Sequence, residues 1–229
     1  MPVLIRDITP IARLFIILFI CSCGMPGCSL VSFDTEEQLV SLSEDAIDLT
    51  PRTEPVTPDP SHVYVYFIHG LDPCDCANLR GVEQYCHELG FANTVFVALH
   101  QGADVVSHVE CTKAHDANAR IVIYGYSAGS DIARRTVNTL HDRDGIDVDL
   151  LMYVSAITLI DCKSARPEFV GKIVHIRDGG KLIPGMQLIG AENYRFSDLG
   201  HFSTPMDSRT LAIFKSELEQ QALLVNGVK

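Results

Sequence analysis

Along the chain, short runs of β-branched and aromatic residues alternate with stretches whose apolar positions recur every three to four residues. Val63–Ile68 (VYVYFI) is one such run and ends at His69-Gly70, which predicts a strand meeting a loop. Ala77–Leu89 then sets Leu79, Val82, Tyr85, Cys86 and Leu89 at helical spacing and stops at Gly90. Thr94–Leu99 (TVFVAL) predicts a strand, Ala103–His115 a helix, Arg120–Tyr124 (RIVIY) a strand and Ala128–Leu140 a helix. Strands over Asp149–Ser155 and Lys172–Arg177, a weaker one at Tyr194–Phe196 and a helix over Ser208–Leu223 complete the series. Strands that are apolar at consecutive positions are buried on both faces. Their alternation with amphipathic helices predicts an α/β fold: a three-layer sandwich, mostly parallel sheet, with helices on both faces. Such sheets carry their chemistry at the carboxyl ends of the strands.

Composition narrows the class. With 47% hydrophobic residues, the 229-residue chain has material for one good core. A net charge of −11 with no Lys/Arg block excludes a partner held by its phosphates, so no nucleic acid is expected. At 21% charged residues and a mean hydropathy of +0.16, neither a disordered tail nor a multi-span membrane protein fits. The charge is uneven. Ser32–Ser61 holds Asp34, Glu36, Glu37, Glu44, Asp45, Asp48, Glu54 and Asp59 against Arg52 alone, together with Pro51, Pro55, Pro58 and Pro60. Residues 29–61 therefore read as an extended, self-repelling linker before a domain spanning 62–229.

The first 28 residues have another character. Arg6 and Arg13 precede the apolar run Leu14–Ile20, followed by small residues and cysteines, the order of a secretory signal. The run is too short to span a bilayer comfortably. MPGCSLV resembles the lipid-attachment site of a bacterial lipoprotein, which makes Cys28 the expected lipid acceptor, with Cys23 as the alternate. Met25 and Pro26 are poor neighbours for that processing, so ordinary cleavage stays open. Either way the domain is expected outside the cytoplasm, in the cell envelope or secreted, touching membrane only through an N-terminal lipid. Export permits disulfides, and one or two are expected among Cys74, Cys76, Cys86 and Cys111. With Cys162 the count is odd and leaves a thiol over. The spacing of Cys74, Cys76 and Cys86-His87 matches no common zinc module, and no metal is expected.

The strongest motif is Gly125-Tyr126-Ser127-Ala128-Gly129, between the strand RIVIY and the following helix. A sharp strand-to-helix turn of this kind holds a serine hydroxyl out over the sheet edge, and small neighbours leave room for a substrate carbonyl. Ser127 is the candidate nucleophile, and the N–H of Ala128 at the helix start is a candidate oxyanion donor. A second donor should come from the loop after an earlier strand, where His69-Gly70-Leu71 lies. With these motifs the chain resembles the α/β-hydrolase superfamily, and in particular its small lipase- and esterase-like members. The resemblance covers about Val63–Leu223 and implies that Leu71 gives the second N–H while His69 is structural. It also implies the chain order serine, acid, histidine.

His201 suits the last place, in Asp198-Leu199-Gly200-His201-Phe202-Ser203 between the last strand and the last helix. For the acid, Asp178 ends the strand KIVHIRD in the superfamily's usual position, with Asp161 and Asp198 as alternates. Gly179-Gly180 also reads as a plain turn capped by Asp178. Ser155–Gly171 is too short for a cap, so the site is expected to be open. No phosphate loop, H-E-x-x-H or EF-hand pattern is present and no cofactor is expected. Two functions share this core: an exported serine hydrolase acting on a small acyl ester or thioester, or a catalytically silent surface lipoprotein that binds a ligand or partner. Mutual hydrogen-bond reach of Ser127, His201 and an acid separates them. Peptidase and acyltransferase variants would share the same triad.

Overall fold

The computed structural model describes residues 57–157, 159–180 and 185–225. Residues 1–28 and nearly all of 29–61, the expected signal and linker, lie outside them. The linker's last residues form a 3₁₀ turn, Pro60–His62, whose cap Asp59 donates its N–H to the Ala222 carbonyl.

Six strands follow: β1 (Val63–Ile68), β2 (Asn93–Val97), β3 (Arg120–Tyr126), β4 (Val148–Val154), β5 (Val170–Asp178) and β6 (Glu192–Phe196). Every pairing is parallel, in the order β2-β1-β3-β4-β5-β6. The helices are α1 (Leu79–Glu88), α2 (Gly102–His115), α3 (Gly129–Asp144) and α4 (Ser208–Val225). Side-chain alternation splits the core in two. Val65, Phe67, Tyr124, Met152 and Val174 pack with Leu79 and Val82 of α1 and Phe214 and Leu218 of α4. Tyr66, Ile68, Ile123, Leu151 and Tyr153 pack with Val105 and Val109 of α2 and Ala133, Val137 and Leu140 of α3. The sheet is thus covered on both faces, which is why its strands read as unbroken apolar runs. Among the described residues no helix is long and apolar enough to cross a membrane.

The strand order reverses between β1 and β3. The chain places β2 on one side of β1, then crosses to build the rest of the sheet on the other. The carboxyl ends of β1 and β3 flank the crevice where such sheets bind ligands.

Several element ends differ from expectation. β2 stops at Val97, and Leu99 and His100 fall in a 3₁₀ turn over Leu99–Gln101. There the Gln101 side chain accepts the Ala98 N–H and the Gln101 N–H bonds the Ala98 carbonyl, so a local turn takes up groups a longer strand would have paired. β3 runs through Gly125-Tyr126 because β4 still pairs with it there. α3 begins at Gly129 and reaches Asp144, where Gly145 adopts the left-handed conformation that ends it.

Among the described residues no disulfide joins Cys74, Cys76, Cys86, Cys111 or Cys162, contrary to expectation. The layers explain part of this. Cys86 is buried on the inner side of α1 on one face of the sheet, whereas Cys111 is exposed on α2, which covers the other. Cys74 and Cys76 sit exposed on the loop between β1 and α1.

Candidate active site

β3 delivers the chain to Ser127 in the left-handed region, φ 53°. A serine there is strained and needs its surroundings to hold it. The Ser127 N–H bonds the Val154 carbonyl at 3.0 Å, tying the turn to β4. Both motif glycines are forced by contact. A Cβ on Gly129 would stand 2.3 Å from the Ile68 carbonyl oxygen, and one on Gly125 2.8 Å from both Ala133 Cβ and Ser130 Cα. Ser130, given no role by sequence reasoning, donates its hydroxyl to the Gly125 carbonyl at 2.8 Å and closes the turn from below.

His201 reaches Ser127 from the segment between β6 and α4. The Gly179 N–H donates to the Leu199 carbonyl at 3.0 Å, which joins this segment to the end of β5. The Thr204 and Ser203 hydroxyls donate to the Gly200 carbonyl and fix the turn on its other side. Tyr126 lies beneath the imidazole with ring centroids 5.3 Å apart, and its hydroxyl donates to the His201 carbonyl.

These elements bring three side chains into line. Ser127 Oγ lies 2.8 Å from His201 Nε2, and His201 Nδ1 lies 3.1 Å from Asp178 Oδ2. With the Nδ1 proton donated to the carboxylate, Nε2 is the acceptor facing the hydroxyl. Asp178 Oδ1 accepts the Gly180 N–H at 2.9 Å, so the turn-capping and histidine-facing readings of Asp178 hold together, one oxygen each. Burial alone would raise its pKa. His201, the neighbouring Ser155 hydroxyl and the Gly180 N–H outweigh burial and hold it below its ordinary value of 3.8.

The alternates Asp161 and Asp198 are engaged elsewhere. Asp161 pairs with Arg166 and accepts the Ile189 N–H. Asp198, exposed, pairs with Arg209 at 2.8 Å. At the other side of Ser127, Gly70 packs directly on it, and Leu71 follows with its side chain 55% exposed. The N–H groups of Leu71 and Ala128 have no hydrogen-bond partner among the described residues.

Among the described residues no helical cap stands between β4 and β5, only a 3₁₀ turn over Lys163–Ala165. Ser127 is 5% exposed and His201 8%, because the Gly70 loop and the imidazole close over the turn from two sides.

His69, Asp72 and Asp75 offer ligand atoms within 4.8 Å of one another. Their groups already build the loop. Asp72 accepts the N–H groups of Cys76 and Ala77, Asp75 accepts that of Leu79, and His69 Nδ1 donates to the Gly70 carbonyl. This fixing of the segment after Leu71 is what the unusual Asp72–Cys76 sequence encodes.

No family model matches the sequence, and no curated protein matches it. Among solved structures, human thioesterase 2 is similar with a TM-score of 0.49 and 12% identity, over 74% of this chain and 99% of that one. The esterase domain of a Rhodothermus marinus protein is similar with a TM-score of 0.45 and 12% identity, over 77% and 90% of the two chains. Both likenesses are of backbone path.

Proposed function

We propose that the protein is an exported serine hydrolase that cleaves an ester or thioester through an acyl-enzyme on Ser127. One relation supports this most: Ser127 Oγ, His201 and Asp178 are linked at 2.8 and 3.1 Å. A serine hydroxyl becomes nucleophilic when a base takes its proton, and His201 Nε2 is in place to do so as Oγ attacks the carbonyl. Asp178 stays ionised, holds the ring in the Nδ1–H tautomer and stabilises the imidazolium. The oxyanion formed is met by the free N–H groups of Leu71 and Ala128. Collapse breaks the C–O or C–S bond, and His201 gives its proton to the departing alcohol or thiol. Water then attacks the acyl-enzyme while His201 takes its proton, and a second collapse releases the acid and restores Ser127.

A cleft of about 190 Å³ adjoins the first turn of α3, lined by Asp131, Arg134, Ile157, Leu159, Ile160 and Cys162. The lipid anchor at Cys28, with Cys23 as alternate, belongs to the same proposal and rests on the order of residues 1–28. The silent-binder alternative calls for an acid turned away from His201, and the hydrogen bond that His201 donates to Asp178 favours the enzyme.

The test is labelling of the full-length chain in detergent with a fluorophosphonate probe. Wild type labels, Ser127→Ala and His201→Ala do not, and Asp178→Asn labels about 10⁴-fold more slowly. Asp161→Asn and Asp198→Asn label like wild type. A folded wild-type chain that stays unlabelled sinks the proposal.

A further inference from the structure

A second serine sits at the same sheet edge. Ser155 is the first residue beyond β4, and its N–H bonds the Ile176 carbonyl of β5 at 2.9 Å, two residues short of Asp178. Like Ser127 it takes a positive φ, 47°, which removes it from the strand alternation that would otherwise continue from Val154. It is 2% exposed, and its hydroxyl makes no close hydrogen bond, acting only on the neighbouring Asp178 carboxylate. A strained backbone and a buried hydroxyl without a close hydrogen bond both oppose folding, and together they mark a residue kept for a reason other than stability.

We propose that Ser155 is a positioning residue for Asp178, its hydroxyl donating to the carboxylate as the bond to His201 tightens during reaction. This rests on the serine-hydrolase reading above. A carboxylate has about four acceptor positions, and Asp178 uses two, on His201 and Gly180. The Ser155 hydroxyl already acts on that carboxylate, since it is among the groups that favour its ionised form. Hydrogen bonds of resting active sites are often loose and shorten only with substrate bound, so a hydroxyl loosely engaged beside the acid is placed to close the set when positive charge grows on His201. No other residue among the described ones joins a positive φ, near-complete burial and a hydroxyl without a close hydrogen bond.

The test uses the full-length chain with Ser155→Ala, Ser155→Gly and Ser155→Thr, the same fluorophosphonate probe, and thermal melting. The expected pattern separates hydroxyl from backbone. Alanine and glycine both lower the limiting labelling rate by about tenfold or more, as for loss of a hydrogen bond to a charged group, with the half-saturating probe concentration unchanged. Threonine keeps the rate. Melting follows another order: glycine, free at this φ, raises Tm, and threonine, β-branched, lowers it. If wild type labels and the alanine and glycine variants label equally fast, the role is overturned and the function stands. A folded threonine variant as slow as alanine also overturns it. A folded wild-type chain that does not label overturns both.

Discussion

Replacing Gly70 by alanine tests how tightly the loop after β1 is fitted to Ser127. A Cβ at Gly70 would lie 2.7 Å from Ser127 Cβ, 2.8 Å from the Tyr126 carbonyl oxygen and 3.3 Å from Ser127 Oγ. Carbon atoms in contact rest at about 3.5–4.0 Å, so about 1 Å must be found. Ser127 cannot supply it, since its N–H is bonded to Val154 and Gly129 is wedged against Ile68. The Gly70–Leu71 loop must withdraw instead and carry the Leu71 N–H with it. A displacement of about 1 Å at a reacting centre costs on the order of 10²-fold in rate. Overpacking of this kind costs about 1–3 kcal/mol, or roughly 2–12 °C in Tm for a chain of this size. Fluorophosphonate labelling rate and thermal melting measure the two effects. Gly145→Ala is the control, at φ 63° with nothing within 4 Å of its Cβ. It should lose about 1–2 kcal/mol to backbone strain and label normally. A Gly70→Ala chain that labels at the wild-type rate refutes the reasoning.

Two further outcomes follow from buried groups outside the relay. His175 is fully buried, and burial, then the nearby Arg177 charge, outweighs the Asn193 side chain and pushes its pKa from 6.5 to about 4. Between those values the unfolded chain holds the extra proton, so stability falls as pH drops through that window, by about 3 kcal/mol in all. Urea titrations should show His175→Gln losing that much less than wild type between neutral pH and about pH 4; equal losses would refute it. Cys86 is buried and its thiol pushed up to about 12, so iodoacetamide with peptide mapping should find it unmodified in the native chain while exposed Cys74, Cys76 and Cys111 react. Modification of Cys86 at the pace of those three would contradict the packing of α1.

The strand centres were legible because Val63–Ile68, Arg120–Tyr124 and Asp149–Val154 are apolar on both faces, and only a buried parallel sheet asks for that. Their ends were not, since the extension of β3 through Tyr126 depends on how far β4 runs beside it. Ser127 and His201 stood out by motif and chain order. The acid was chosen by position alone, Asp178 at the end of its strand ahead of Asp161 and Asp198 in the loops after neighbouring strands. What separates them is that Asp161 and Asp198 each meet an arginine, a fact of tertiary packing. Cysteine proximity in sequence misled for a related reason: the crossovers set α1 and α2 on opposite faces of the sheet. Ser155 carried no signal at all. A serine after a strand is unremarkable, and its φ is visible only in the folded backbone.

His201 reaches the site by way of β6, a five-residue strand at the sheet's edge, paired on one side only. Free energies of local opening are lowest where an element has fewest partners, and this edge carries the imidazole. If β6 and the turn after it lift away, the other five strands keep their pairings, and Ser127 is left without a base. On the proposed function the chain then stands folded without its relay, so heat or denaturant would end fluorophosphonate labelling before unfolding it.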